Sequence, residues 1–437
     1  MTKKQIGLYT ATSIVIANMI GTGVFTSLGF QVLGLHSLFA LLLLWFIGGV
    51  VALCGALSYS ELASAMPRSG SEYHYLSKIY HPAVGFLSGW VSLTVGFSAP
   101  VALSAMLMGG YVSKVFTSID PIWLAIGLVG VITLIHSLSL KTGSRFQNVF
   151  TALKIALIVF IIIAGFVSDN HQHISFTINS NSLSEITSSA FFISLFWVSY
   201  SYSGWNASSY IAGDIESPKK NVPRSLLIGT AFVMLLYILL NFVFLYTTPI
   251  DAMAGQKEVG FVVAKYIFGD TGGNIVSMII ALLLISSVSS MIIAGPRVSQ
   301  VMGEDNSLLR FLSIKNKANI PYVAIVFQSV ISVVLILTST FEEVLIYVGF
   351  TLNIFTFLTV LGLIIYRVKE PNAERPYKTW GYPLTPLLFL SVTLWILYYG
   401  LINKPYESLV GIATVLFGLN FYYFGRSQKP DKHQHDA

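Results

Sequence analysis

The chain has 437 residues, 54% of them hydrophobic and only 10% charged, with a mean hydropathy of +0.74. A water-soluble domain carries about 25% charged residues, so this chain cannot cover itself with a polar surface, and a soluble enzyme or binding module is excluded. The formal net charge of +6 would suit nucleic acid in a soluble protein. Here the basic residues fall in short loops between hydrophobic runs, so lipid, not nucleic acid, is the expected surrounding.

A crossing helix needs about 20 residues. Hydrophobic runs and their punctuation place spans over residues 8–33, 37–65, 82–111, 121–140, 145–168, 186–213, 223–248, 272–299, 321–339, 342–366, 383–402 and 406–425. Helices are expected, because backbone groups find no water in the bilayer core. The ten-residue alternation of an outer-membrane barrel is missing. The fold class is therefore an all-α membrane protein with twelve transmembrane helices. Residues 1–7 and 426–437 are short polar ends, expected to be disordered, and no cleavable leader is expected.

The first run is interrupted. It reads Ile16-Ala17-Asn18-Met19-Ile20-Gly21-Thr22-Gly23-Val24-Phe25, two glycines around a hydroxyl at mid-membrane. Glycine costs a helix interior about 1 kcal/mol relative to alanine, and taken alone these glycines also fit close helix packing. The second run holds Cys54, the single cysteine, which rules out an internal disulfide and leaves no metal-ligand spacing, so no cofactor is expected. Glu61 closes that run at its inner end. In the fourth run His136 reads as a packed, hydrogen-bonded histidine.

The fifth run carries Lys154, the one basic residue inside a span. It lies nine positions beyond Arg145, about 14 Å along a helix. Snorkelling from there is strained, and an ammonium at depth is by default functional. A polar loop, 169–185, follows. The sixth run is interrupted like the first: Trp197-Val198-Ser199-Tyr200-Ser201-Tyr202-Ser203-Gly204-Trp205-Asn206. In the seventh, Tyr237 and Asn241 stand one turn apart.

Of the 25 Lys and Arg residues, Lys114, Lys257, Lys265 and Lys404 fall on one side of the membrane, while 20, from Lys3 and Lys4 to Lys429 and Lys432, fall on the other. By the positive-inside rule the crowded side is cytoplasmic and holds both termini, in the cell membrane.

Two interruptions five spans apart are the sequence pointer to a transporter built from inverted repeats, here spans 1–5 (8–168) and spans 6–10 (186–366), with two peripheral spans in 383–425. A broken helix presents free amides at the start of one half and free carbonyls at the end of the other. Together they suit a carboxylate and an ammonium, the pair that an α-amino acid carries.

At these residues the chain resembles the amino acid–polyamine–organocation superfamily, and within it the L-type amino acid transporter branch, which includes bacterial exchangers of alanine, serine and cysteine. Gly21-Thr22-Gly23-Val24-Phe25 is similar to its Gly-Ser-Gly-Ile-Phe element, with Thr22 for serine. Pro67-Arg68-Ser69-Gly70-Ser71-Glu72-Tyr73 is similar to its Pro-x-x-Gly-Gly-x-Tyr signature, with Ser71 for the second glycine. Ser203-Gly204-Trp205-Asn206, then Glu216-Ser217-Pro218-Lys219-Lys220-Asn221-Val222-Pro223-Arg224, resemble its sixth span and following loop. Gly295-Pro296-Arg297-Val298 before Met302-Gly303-Glu304-Asp305 resembles its eighth-span exit, with Glu304 where a basic residue is common. The resemblance covers residues 8 to about 425 and implies a LeuT-type inverted repeat with broken helices 1 and 6, amino acid transport, and frequently obligatory exchange.

The resemblance also implies a site. The substrate carboxylate meets the amides of Thr22, Gly23 and Val24, assisted by the Thr22 hydroxyl. The ammonium meets carbonyls at Met19 and Ile20 beside Gly21 and, beside Gly204, near Tyr200 and Ser203. Tyr200 or Tyr202 walls the side-chain pocket. Lys154 stands where sodium-coupled relatives hold a cation, its ammonium on the carbonyl near Gly21 and on hydroxyls of Ser286, Ser287 or Ser290. A fixed charge there would make transport sodium-independent, whereas a titrating one would couple protons. Tyr237 would support the inner gate.

None of spans 1, 3, 6, 8 and 10 carries an acidic residue near its centre. A buried cationic side chain needs one, so neutral amino acids are expected, and small ones by resemblance. Animal members of the branch join a glycoprotein through a cysteine after the third span. The loop 112–120 has none, so no disulfide-linked heavy subunit is expected. A channel would need a continuous polar pore, and an enzyme clustered His, Asp, Glu or Cys at depth. Neither pattern occurs.

Overall fold

The computed structural model describes residues 6–138, 144–172 and 180–426. Lys3, Lys4, Lys141, Lys429, Lys432 and the end 427–437 lie outside the described residues. The first half of the chain folds into α1 (Leu8–Met19), α2 (Ser27–Gln31), α3 (Leu38–Ala65), α4 (Glu72–Ile79), α5 (Pro82–Val91), α6 (Ser98–Val115), α7 (Pro121–Leu138), α8 (Ser144–Val167) and α9 (Ser180–Ile186). The second half gives α10 (Ser189–Tyr202), α11 (Ala207–Tyr210), α12 (Pro218–Thr247), α13 (Ile250–Met253), α14 (Val259–Asp305), α15 (Tyr322–Thr338), α16 (Phe341–Lys369), α17 (Leu384–Asn403) and α18 (Pro405–Arg426).

Among the described residues, nine stretches are long and apolar enough to cross a membrane: α3, α5 with α6, α7, α8, α12, α14, α16, α17 and α18. The other three of the twelve expected spans fail for a visible reason. Spans 1 and 6 are each split into two pieces, and α15, span 9, stops at 17 residues. The chain is a multi-pass membrane protein.

Packing follows the repeat. The most extensive helix contacts join α3 to α12 and α6 to α14, which are spans 2 with 7 and 3 with 8; α7 packs on α15, spans 4 with 9. The broken spans meet as well, α2 on α10 and α1 on α11. Each of spans 1–4 thus lies against the span five places later, as two halves related by a two-fold axis would place them.

Three departures from the expected spans have local causes. Span 3 is not one helix: a π-helical turn, Ser92–Gly96, separates α5 from α6, and the Ser98 hydroxyl bonds the Leu93 carbonyl at 3.3 Å. In α14, Gly269 takes φ +73, so the segment before it is a separate short helix and the span starts near residue 270. Within the polar loop stands a short helix, α9, tied to the segment before α3 by the Glu185 carboxylate, which accepts the His36 and Ser37 amides, the latter at 2.8 Å.

Polar pairs sort to two ends. At one, Arg367 forks onto Glu61, with Nε at 2.8 Å and Nη2 at 2.6 Å, and Lys219 meets Glu374. At the other, Lys114 meets Glu258 and Lys404 meets Glu342.

Candidate functional site

Span 1 stops being helical after Met19 and resumes as a 3-10 turn, Gly23–Phe25, leading into α2. Span 6 breaks after Tyr202, where Gly204 takes φ +94. The two breaks interlock. A Cβ on Gly23 would stand 2.5 Å from the Ser201 Cα, and a Cβ on Gly204 would stand 2.8 Å from the Asn18 carbonyl carbon. Each glycine exists so that the other span's backbone can touch it. Gly21 differs, since a Cβ there would meet only the Met19 oxygen at 4.0 Å.

The carbonyls that α1 gives up at its end are taken by side chains. The Tyr237 hydroxyl donates to the Met19 oxygen at 2.6 Å, and the Lys154 ammonium donates to the Ile20 oxygen at 3.1 Å. A cation at a helix C-terminus also favours the helix dipole. Lys154 is 5% exposed, and its second acceptor is the Ser287 hydroxyl at 2.7 Å. Among the described residues no carboxylate pairs with it. The ammonium thereby links span 5 to spans 1 and 8, with the expected neighbour of Gly21, Ile20, as its carbonyl. Of the three expected serines only Ser287 meets it. Ser286 donates to the Leu283 carbonyl and Ser290 to the Ser286 carbonyl, both turned along their own helix.

On the far side of the first break, the amides of Thr22, Gly23 and Val24 meet no acceptor among the described residues, although all three residues are buried. An orphaned buried polar group costs about 1–3 kcal/mol, so three in a row call for an explanation. At the second break the carbonyls of Ser201, Tyr202 and Ser203 receive no backbone amide among the described residues, whereas that of Tyr200 accepts from Ser203. The breaks are tied by a Thr22–Tyr200 hydroxyl pair at 3.1 Å and a Ser27–Ser201 pair at 2.8 Å. Tyr202 sets its hydroxyl on the Trp45 carbonyl at 3.0 Å and its ring against Trp45 and Tyr237, and still lines the cavity beside the second break.

A cavity of about 100 Å³ opens beside the second break, lined by Tyr200, Ser203, Gly204, Ser92 of the π turn and Asn353 of α16. It is smaller than the ~150 Å³ cavity that admits benzene. The cavity wall includes none of residues 19–24. Tyr200 is the link, lining the cavity while bonding Thr22. Asn353 exchanges hydrogen bonds with Ser199 at 3.3–3.4 Å across spans 10 and 6.

Sequence reasoning missed Glu72. It lies in α4, outside every span, yet lines the cavity and is 4% exposed. Its carboxylate accepts from the Tyr59 hydroxyl at 2.8 Å and the Asn206 amide at 2.7 Å, with no cation on it among the described residues. The signal was there, one residue after Ser71. Ser71 takes φ +43, a conformation suited to the glycine it replaces, and this turns α4 back into the bundle. Glu61 is likewise more than a terminal residue: fully buried, it accepts from Arg367 and the Thr379 amide, tying spans 2 and 10. His136 is packed and bonded to Ser289 as expected.

Comparison with known proteins places these features in a family. The family model described as amino acid permease matches residues 6–419. The b(0,+)-type amino acid transporter 1 of Homo sapiens is 29% identical, over 98% of this chain and 91% of its own length. The Large neutral amino acids transporter small subunit 2 of Mus musculus is 27% identical over 97% of this chain and 81% of its own. The Serine/threonine exchanger SteT of Bacillus subtilis (strain 168) is 27% identical over 98% of both chains.

Proposed function

This chain belongs to the amino acid permease family, and from that premise we propose that it exchanges small neutral L-amino acids across the cell membrane by alternating access, without sodium. The observation that carries this reading is the division of backbone groups at the two breaks. The first offers orphaned amides at Thr22, Gly23 and Val24 to a carboxylate, while the second offers the carbonyls of Ser201, Tyr202 and Ser203 to an ammonium. Of the two places expected for the ammonium, this reading keeps span 6, because Tyr237 and Lys154 already donate to the Met19 and Ile20 carbonyls.

Lys154 serves as a fixed cation, with Ser287 as its one hydroxyl partner, and stands in for sodium at the end of α1. Tyr237 steadies the same end and supports the inner gate. The cavity of about 100 Å³ favours alanine, serine or glycine over large side chains. Residues 8–168 and 186–366 act as the two moving repeats, with 383–425 peripheral and both termini cytoplasmic. Cys54, the only cysteine, is buried within α3, which supports a carrier without a disulfide-linked heavy subunit.

A second reading, proton-coupled symport, is favoured by the buried Glu72 carboxylate at the cavity and by the uncompensated Lys154. One experiment separates the readings. Proteoliposomes with and without internal unlabelled alanine take up labelled alanine, with and without sodium or a pH gradient. Exchange predicts uptake only into loaded vesicles, independent of both gradients. Equal uptake into empty vesicles removes exchange, acceleration by an inward proton gradient selects the second reading, and flux that never saturates selects a channel.

A further inference from the structure

A cleft of about 740 Å³ lies away from the transport site, between α3, the start of α12 and the segment before α17. Its rim is basic, with Lys219, Lys220 and Arg224. Its wall is apolar, with Leu53 and Leu57 one turn apart on α3 facing Leu227, Ile228 and Ala231 on α12. Along α12 the positions 220, 224, 227, 228 and 231 fall on one face by their spacing of three and four. That face runs about 16 Å at 1.5 Å per residue, from charge at the helix start to hydrocarbon below it.

The charges are not spent inside the protein. Lys219 meets Glu374 at 3.1 Å, an exposed pair. Lys220 and Arg224 are exposed and have no acidic partner among the described residues. Below them Ile228 is 51% exposed, and Trp380 at the cleft's edge is 69% exposed, the position of an interfacial aromatic in a membrane protein.

We propose that this cleft binds an anionic phospholipid, its phosphate on Lys220 and Arg224 and one acyl chain along Leu57, Leu227 and Ile228. A soluble anion would have no use for the apolar wall, and a zwitterionic lipid would leave two cations uncompensated. Basic pockets between transmembrane helices are suited to anionic headgroups. The site is separate from the exchange reaction and does not depend on it.

The test is native mass spectrometry of the detergent-solubilised full chain, titrated with phosphatidylglycerol, phosphatidylethanolamine or glycerol phosphate. The wild type is expected to retain phosphatidylglycerol about tenfold better than phosphatidylethanolamine, and Lys220→Gln with Arg224→Gln to lose that preference. The Lys220→Arg, Arg224→Lys variant should restore it, which separates lost charge from lost fold. Equal retention of the two lipids, an unchanged preference in the Gln variant, or glycerol phosphate bound as tightly as the lipid would each overturn the proposal.

Discussion

At the first break, the carbonyls released by the ending helix are held by Tyr237 and Lys154, and only amides are left open. At the second, the carbonyls of Ser201, Tyr202 and Ser203 receive no backbone amide among the described residues, and Tyr202 and Ser203 line a cavity. Both breaks rest on glycine and both expose peptide dipoles, yet side chains have filled the negative half of one and not of the other. The difference teaches that a broken helix acquires a preferred charge from its neighbours. In the function proposed above, the lysine and tyrosine leave the first break to an anion, and the second break to the cationic end of the substrate.

The strongest way to break this arrangement is to push the spans apart. Gly204→Ala adds a Cβ 2.8 Å from the Asn18 carbonyl carbon at φ +94. Overpacking costs about 1–3 kcal/mol and the left-handed conformation about 1–2 more, so both the thermal midpoint and alanine exchange should fall steeply. Gly23→Ala carries the packing cost alone. Gly21→Ala, whose Cβ meets open space, should keep its midpoint and change only KM, and a midpoint drop equal to that of Gly204→Ala would contradict the interlock.

Lys154→Ala strips the Ile20 carbonyl of its charged donor. Charged hydrogen bonds contribute about 1.5–3 kcal/mol, so exchange should weaken by about ten- to a hundredfold, and wild-type kinetics would end the functional role of this residue. Tyr237→Phe removes one neutral bond, about 1 kcal/mol, and should raise KM for alanine about fivefold in the same assay. Glu72→Gln should be the mildest change. It leaves exchange intact if the carboxylate only braces Tyr59 and Asn206, and abolishes acid-stimulated uptake if it carries protons.

Hydropathy and glycine placement made the spans, the two breaks and the depth of Lys154 legible, because each depends on one residue type at one depth, whereas the Tyr237 bond to the Met19 carbonyl was not read from the sequence. What stayed hidden depends on how elements fold back. Glu72 reaches the cavity only because Ser71 turns α4 inward, and the π turn at Ser92–Gly96 follows from no single residue type. The choice of Ser287 over Ser286 and Ser290 is a matter of helix rotation, which boundaries uncertain by a few residues cannot fix.

The division of charge between the breaks is tested most directly by a structure of the protein with alanine bound. The account predicts the carboxylate within hydrogen-bond distance of the amides of Thr22, Gly23 and Val24, and the ammonium at the carbonyls of Ser201, Tyr202 and Ser203. A carboxylate seated on the Lys154 ammonium, or an ammonium displacing Lys154 from the Ile20 carbonyl, would contradict it.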